Sequence, residues 1–256
     1  MHKLIWIPIT STLIGIGLVA TALQGEAPHK AVSVHGVEQR SYDVSGFDKV
    51  SAAGPMHVMV AVGPAFSVRA EGPDESLDRY EVVVEHGSLE IRPTHSNFWG
   101  SSWKGFGPAT FNVTLPQLSA TSMAGSGDMK VDRVEGSRFS VSVAGSGKFE
   151  IGSLSVDEAR FSVAGSGDLT AHGHAARSNV SVAGSGDVHL RELSSDHANV
   201  SIIGSGDAAL TVNQDAHISM VGSGDVDIDG TANCKVSRFG GGHVTCNGQL
   251  QDDRDS

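Results

Sequence analysis

Two columns of side chains in this sequence have the residue types and the spacing for chemistry. The unit VAGSG stands at 143–147, 163–167 and 182–186, with looser copies on either side. Counting from its first glycine as zero, position +3 holds Asp128, Lys148, Asp168, Asp187, Asp207, Asp225 and His243. Carboxylates repeated on successive units could share a hard cation such as calcium, which takes oxygen ligands. Calcium-binding rolls, however, place an aspartate about every nine residues. Here one carboxylate arrives per unit of about 20 residues, and Lys148 interrupts the row. The column therefore reads as aspartates that bond backbone amides after a glycine turn, and no metal site is expected. Position −3 is serine throughout: Ser122, Ser142, Ser162, Ser181, Ser201, Ser219 and Ser237. Such a hydroxyl ladder offers a regular face to a sugar or a mineral-like surface. It equally suits a solvated strand face on which a small polar side chain avoids stickiness.

The stretch NFWGSSWKGFGPATF (97–111) holds two of the three tryptophans of a chain that is only 5% aromatic. Trp99, Trp103 and Phe106, spaced by glycine and serine, are the candidate ligand-binding residues. On an exposed loop they could stack on a glycan or enter a partner's pocket. The other reading is a loop that folds back over an open end of a repeat fold and protects its strand edge. Cys234 and Cys246 fall at −6 and +6 of the last unit. They are a candidate disulfide, worth about 3 kcal/mol on the chain-entropy account, with two buried thiols as the alternative. Catalysis finds no pattern. The 12 histidines are scattered, with His172 and His174 the only close pair, and H-E-x-x-H, G-x-S-x-G and paired-cysteine spacings are all missing. AGSGD sits between strands and lacks the helix N-terminus that a phosphate loop requires. The expectation is no catalytic residue, no cofactor and no enzyme activity.

What must position these columns is set by the period. The first glycines are Gly125, Gly145, Gly165, Gly184, Gly204, Gly222 and Gly240, at intervals of 20, 20, 19, 20, 18 and 18 residues. Position −4 runs Thr121, Val141, Phe161, Val180, Val200, Ile218, Val236, and position +4 runs Met129, Phe149, Leu169, Val188, Ala208, Val226, Val244. Positions −2 and +6 are also mainly apolar and alternate with polar columns, the mark of half-buried strands. Each unit is thus strand, turn, strand, and cannot bury its inner face alone. Stacking successive units does bury it, which predicts an all-β fold, a β-solenoid in the form of a single-stranded parallel β-helix with ~20-residue coils. A chain of hairpins in an antiparallel sandwich is the rival, but a near-constant period keeps like rungs in register and favours the solenoid.

The chain has 256 residues and a formal charge of −11, with no Lys/Arg cluster. That argues against nucleic acid or an anionic membrane as partner. Residues 1–22 read as a signal peptide: Lys3, an apolar run from Leu4 to Val19, then Ala20-Thr21-Ala22 in the pattern accepted for cleavage. A membrane tether would arise only if this segment were retained as an anchor. Either way the folded part sits outside the cytoplasm, in keeping with a cysteine pair. Residues 23–39 are expected to be a flexible lead, 40–250 the β-helix with irregular rungs over 40–120 and regular ones over 121–248, and 251–256 a charged tail.

The ordered series RSYDVSGFDKV (40–50), GPMHVMVAVG, FSVRAEG, SLEIRP, VTLP and repeated AGSGD resembles the putative auto-transporter adhesin head GIN domain family, also called DUF2807. The resemblance covers about residues 40–248 and implies a right-handed β-helix exported to the bacterial cell envelope, in the periplasm or at the cell surface. It carries no catalytic residues to transfer. An auto-transporter needs a C-terminal membrane barrel, whereas this chain ends in DDRDS soon after its last rung; the expectation is a head that does not export itself. The function expected is a non-catalytic adhesion or surface-interaction module whose partner is an envelope protein or a glycan. A self-associating structural component of the envelope is the alternative. A polysaccharide-active enzyme is a third, on analogy of fold alone.

Overall fold

The computed structural model describes residues 29–34, 37–94 and 109–251. In chain order the elements are β1 (His29–Val34), β2 (Val37–Tyr42), β3 (Lys49–Ala53), β4 (His57–Val62), β5 (Ser67–Gly72), a helical turn α1 (Asp74–Leu77), β6 (Tyr80–Glu85), β7 (Ser88–Pro93), β8 (Thr110–Leu115), β9 (Ala120–Gly125) and β10 (Asp128–Val131). Five long strands follow and bend through the corners of successive coils: β11 (Val134–Gly145), β12 (Lys148–Gly165), β13 (Asp168–Gly184), β14 (Val188–Gly204) and β15 (Ala208–Gly222). β16 (Val226–Gly230), β17 (Asn233–Gly240), β18 (Val244–Cys246) and β19 (Gln249–Leu250) complete the series.

The long strands pair in parallel, each with the next, and the repeat sets their register. Ser142 lies opposite Ser162, Ser162 opposite Ser181, Ser181 opposite Ser201, Ser201 opposite Ser219 and Ser219 opposite Ser237. This is the β-solenoid that the period predicts. Val141, Phe161, Val180, Val200 and Ile218 are each at most 2% exposed and stack along the interior. Each regular coil has three faces where the sequence suggested two. One face precedes the Gly-Ser-Gly corner and a second follows it. A short third face holds Leu154–Val156 opposite Gly173–Ala175, and these opposite Leu193–Ser195. The 18-residue coils are shorter at the corner before this third face, where Leu190 pairs with Leu210 but Ser194 already pairs with Thr211. Ser178 and Ser195, both buried, satisfy each other across a corner with an Oγ–Oγ distance of 2.7 Å.

The corner explains why the repeat insists on glycine. The Ser166 amide donates to the Gly145 carbonyl at 2.8 Å, and Ser185 and Ser205 donate to Gly165 and Gly184 at the same distance. Stacking this close leaves no room for side chains that point down the axis. A Cβ on Gly147 would overlap the Gly127 carbonyl oxygen, and one on Gly145, where φ is 130°, would overlap that of Gly125. The aspartates at +3 complete the corner. The Lys148, Asp207, Asp225 and His243 amides donate to the carboxylates of Asp128, Asp187, Asp207 and Asp225 at 2.8–3.1 Å.

Two expectations for the N-terminal third are corrected. Residues 40–120 do not run as rungs leading in sequence to the regular ones. β3 and β4 lie directly beside β9 and β10, so that Val50 faces Thr121 and Val58 faces Met129 across a 71-residue gap. Gly54 is the first member of the corner column, since its amide donates to the Ala124 carbonyl at 2.8 Å. Between β4 and β9 in sequence, β7 and β8 lie parallel beside β3 and β4 as one further layer of the stack, and β5 and β6 pair antiparallel with β8 and β7 in an end cap. Residues 29–34 and 37–39, expected within a flexible lead, contribute β1 and the start of β2, which pair antiparallel; β2 also pairs with β5. What holds β2 is Arg40, only 7% exposed, in ion pairs with Glu38, Asp74 and Asp78, which ties the strand to α1. Beneath it Leu77 is fully buried and Tyr80 packs edge-on against Phe111 at 5.5 Å. Burial pushes the Tyr80 phenol up to about 12.

Gly147→Ala is expected to lose about 2–4 kcal/mol of stability through strain and overlap, while Ser146→Ala changes it by no more than about 0.5 kcal/mol. Urea unfolding measures both, and equal midpoints would refute the corner account. Tyr80 gives a second expectation. An unfolded tyrosine ionises near pH 10, before the folded one, so the stability it contributes is intact below about pH 10 and falls as pH rises from there to about 12. In Tyr80→Phe that alkaline decline should flatten; an unchanged alkaline unfolding curve would exclude this origin.

Candidate functional site

The face that precedes the glycine corner carries three outward columns, because alternate residues of a strand point to the same side. Position −3 is the serine column, which now begins one coil earlier, at Ser51, whose Oγ accepts from Ser122 Oγ at 2.9 Å. Position −5 is Arg160, Asn179, Asn199, His217 and Lys235, in register on five coils. Position −1 is alanine on four coils, Ala124, Ala144, Ala164 and Ala183, and then Ile203, Val221 and Phe239. The last three are 61%, 48% and 79% exposed, an apolar ladder on the surface of the final coils.

The −5 and −3 columns line an open groove of about 1090 Å³ that runs along the axis from Arg160 and Ser162 to Lys235 and Ser237. At coil spacings of about 4.8 Å its five rungs span about 19 Å. Its wall is organised by hydrogen bonds. Asn199 Nδ2 donates to Asn179 Oδ1 at 3.1 Å, and Asn179 Nδ2 to Glu158 Oε1 at 3.2 Å. Arg160 binds the same Glu158 oxygen through Nε and Nη2 at 3.1 and 2.8 Å. That hydrogen bond is the main reason the Glu158 pKa lies below the usual carboxylate range. The described lining residues include Arg160, His217 and Lys235 and no carboxylate.

The sequence candidates fall in different places. Cys234 and Cys246 form a disulfide, with Cα atoms 6.4 Å apart, that clasps the last coil across its interior. Cys234 is also part of the groove's lining. β18 then returns as β19 through Asn247-Gly248, both at positive φ as a two-residue hairpin turn demands. Arg238, at the inward position −2 of that coil, donates Nη1 to the Gly242 carbonyl at 2.6 Å. Trp99, Trp103 and Phe106 lie outside the described residues, as do the signal segment and most of the tail. The described strands that flank these three aromatic residues in sequence, β7 and β8, align with β3 and β4. The carboxylates of Asp128, Asp187, Asp207 and Asp225 are engaged with backbone amides, and no cluster of metal-ligating side chains occurs among the described residues. His172 pairs with Glu192 at 2.9 Å, and His174 is not brought to it as a partner; its side chain is exposed. The −5 and −1 columns were missed because their residue types vary. Their signal was the same period that revealed the serines.

The family model described as "Putative auto-transporter adhesin, head GIN domain" (DUF2807) matches residues 46–232. The chain belongs to this family. Among solved structures, a "putative adhesin" from Bacteroides fragilis NCTC 9343 is similar with a TM-score of 0.74 and 20% identity, over 83% of this chain and 97% of that one. A "putative adhesin" from Parabacteroides distasonis ATCC 8503 follows with a TM-score of 0.66 and 18% identity, over 82% and 96%. A "putative lipid binding protein" from the same strain has a TM-score of 0.64 and 21% identity, over 82% and 96%. At these identities the likeness to the head GIN chain is one of fold. No curated protein matches it. No helix among the described residues is long and apolar enough to cross a membrane.

Proposed function

We propose that this head GIN chain is an exported, non-catalytic module of the bacterial cell envelope that attaches to a surface ligand. The observation that carries the reading is the groove across five in-register coils, where polar side chains repeat on a backbone that cannot shift them independently. A scaffold of this kind suits multivalent attachment to a repeating surface, since each rung adds a similar contact. Export is supported by the signal pattern at residues 1–22 and by a disulfide, a bond that persists outside the cytosol. The names borne by the family and by two of its structural neighbours point the same way. A non-catalytic role is supported by the sequence, in which H-E-x-x-H, G-x-S-x-G and paired-cysteine spacings are all missing. Trp99, Trp103 and Phe106 are a second contact, on the strength of their clustering within 97–111 in a chain that is only 5% aromatic. End-to-end self-association is disfavoured by the charges on β17. This strand pairs on one side only among the described residues, yet carries Lys235 and Arg238, which blunt a strand edge.

Beads coated with residues 23–256 are expected to be retained on immobilised envelope polysaccharide extract without release of reducing ends. Retention should weaken in the Trp99→Ala/Trp103→Ala variant. Release of reducing ends would overturn the non-catalytic reading, and lack of retention on polysaccharide and on whole cells would overturn attachment.

A further inference from the structure

Three features meet on the last three coils, and the repeat requires none of them. Across the strands, His217 and Lys235 stand at −5, and Ile203, Val221 and Phe239 at −1, with Ser201, Ser219 and Ser237 between. His217 and Lys235 have no ion-pair partner among the described residues, unlike Arg160, which Glu158 holds. The groove they line holds no described carboxylate, in a chain with 29 acidic against 18 basic residues. On the other side of the corner the picture inverts, with Asp187, Asp207 and Asp225 in a row. Exposing Phe239 at 79% on the final coil leaves an aromatic face open where alanine serves four other coils.

We propose that the C-terminal half of this groove, together with the exposed apolar column beside it, binds a linear acidic glycan, with Lys235 meeting its carboxylates and Phe239, outside the groove on the same strand, serving as the platform for a sugar ring. The inference rests on the attachment reading above and names its ligand class. Charge decides the sign of the ligand, because Lys235, with no carboxylate among the described lining residues, attracts an anionic chain and repels a cationic one. The amphipathic cross-section decides the kind. A pyranose ring offers an apolar face of C–H groups to an aromatic side chain and hydroxyl edges to serine and asparagine, which matches an apolar column beside a polar one. A polymer is favoured over a single sugar because the serine hydroxyl recurs in register at each coil of the groove. A bilayer surface fits less well, since the Asp207 and Asp225 carboxylates flank the apolar ladder across the corner and would face anionic headgroups.

The test uses the full mature chain, residues 23–256, and titrates it calorimetrically with oligogalacturonate, with cellopentaose as a neutral linear control and with phosphatidylglycerol vesicles. Oligogalacturonate should bind, more weakly as salt rises, and K235Q and F239A should each weaken it about tenfold. Both side chains are exposed, so unchanged circular dichroism and melting should show that the variants fold. Absence of binding, equal binding of cellopentaose, indifference to both substitutions, or binding of vesicles alone would each overturn the proposal. If the mature chain is retained on envelope polysaccharide but fails here, the ligand class falls while the attachment reading stands.

Discussion

The structure depends on one close approach. At each glycine corner an amide of one coil reaches the carbonyl of the coil before it at 2.8–3.0 Å, and the space a side chain would need is filled by that carbonyl. A buried or tightly stacked backbone group must find a partner, and here the serine amide after each corner glycine finds the corner glycine carbonyl of the coil before it. Register therefore propagates by itself along the stack. Inward columns bury Val, Phe, Ile and Met in continuous rows, and outward columns become rows of chemistry at fixed spacing. The aspartates after the corner belong to the same scheme, since their carboxylates are taken up by amides of the next coil.

A fold of this kind divides its surface into faces that vary independently. Corner residues are constrained by backbone contact, whereas residues at −5 and −1 touch solvent and are free to differ from coil to coil. The differences are grouped. Alanine at −1 gives way to Ile203, Val221 and Phe239 only near the C-terminal end, where His217 and Lys235 stand on the opposite edge of the same strands. The disulfide between Cys234 and Cys246 fastens the coil that bears the last of these residues. That coil has a neighbour on one side only among the described strands of its face, and its inward Cys234 and Val236 are only half-buried. A covalent tie offsets the packing it lacks.

From Gly125 onward the fold was legible in the sequence because residues that share an environment recur at one period. The serine column, the apolar columns and the cysteine pair could all be placed by counting from a glycine. Legibility fails where the period breaks. Gly54-Pro55-Met56 occupies a corner but has no copy 20 residues away, since 63–119 intervene before Gly125 returns to stack on it. The end cap is invisible for a related reason: β1, β2, β5 and β6 pair antiparallel and follow hairpin rules, and Arg40 reaches its partners in α1 across 34 residues. The third face was missed because its strands are only two or three residues long, too short to show alternation. The groove was half legible. Its serines are invariant within the chain and draw the eye, while the side chains that give it charge and an apolar edge change identity at every coil.

The direct measurement of the central claim is a crosslink across the 71-residue gap. Ser51 and Ser122 are neighbours in the serine column with their hydroxyls 2.9 Å apart. In the double variant Ser51→Cys/Ser122→Cys, oxidation should form a disulfide between residues 51 and 122, found by peptide mapping, because adjacent coils bring Cα atoms within the roughly 4.4–6.8 Å that a disulfide spans. Ser51→Cys/Ser142→Cys, two coils apart, should stay reduced under the same conditions. Efficient linkage in the second variant, or none in the first, would contradict the stacking of Gly54 beneath Gly125.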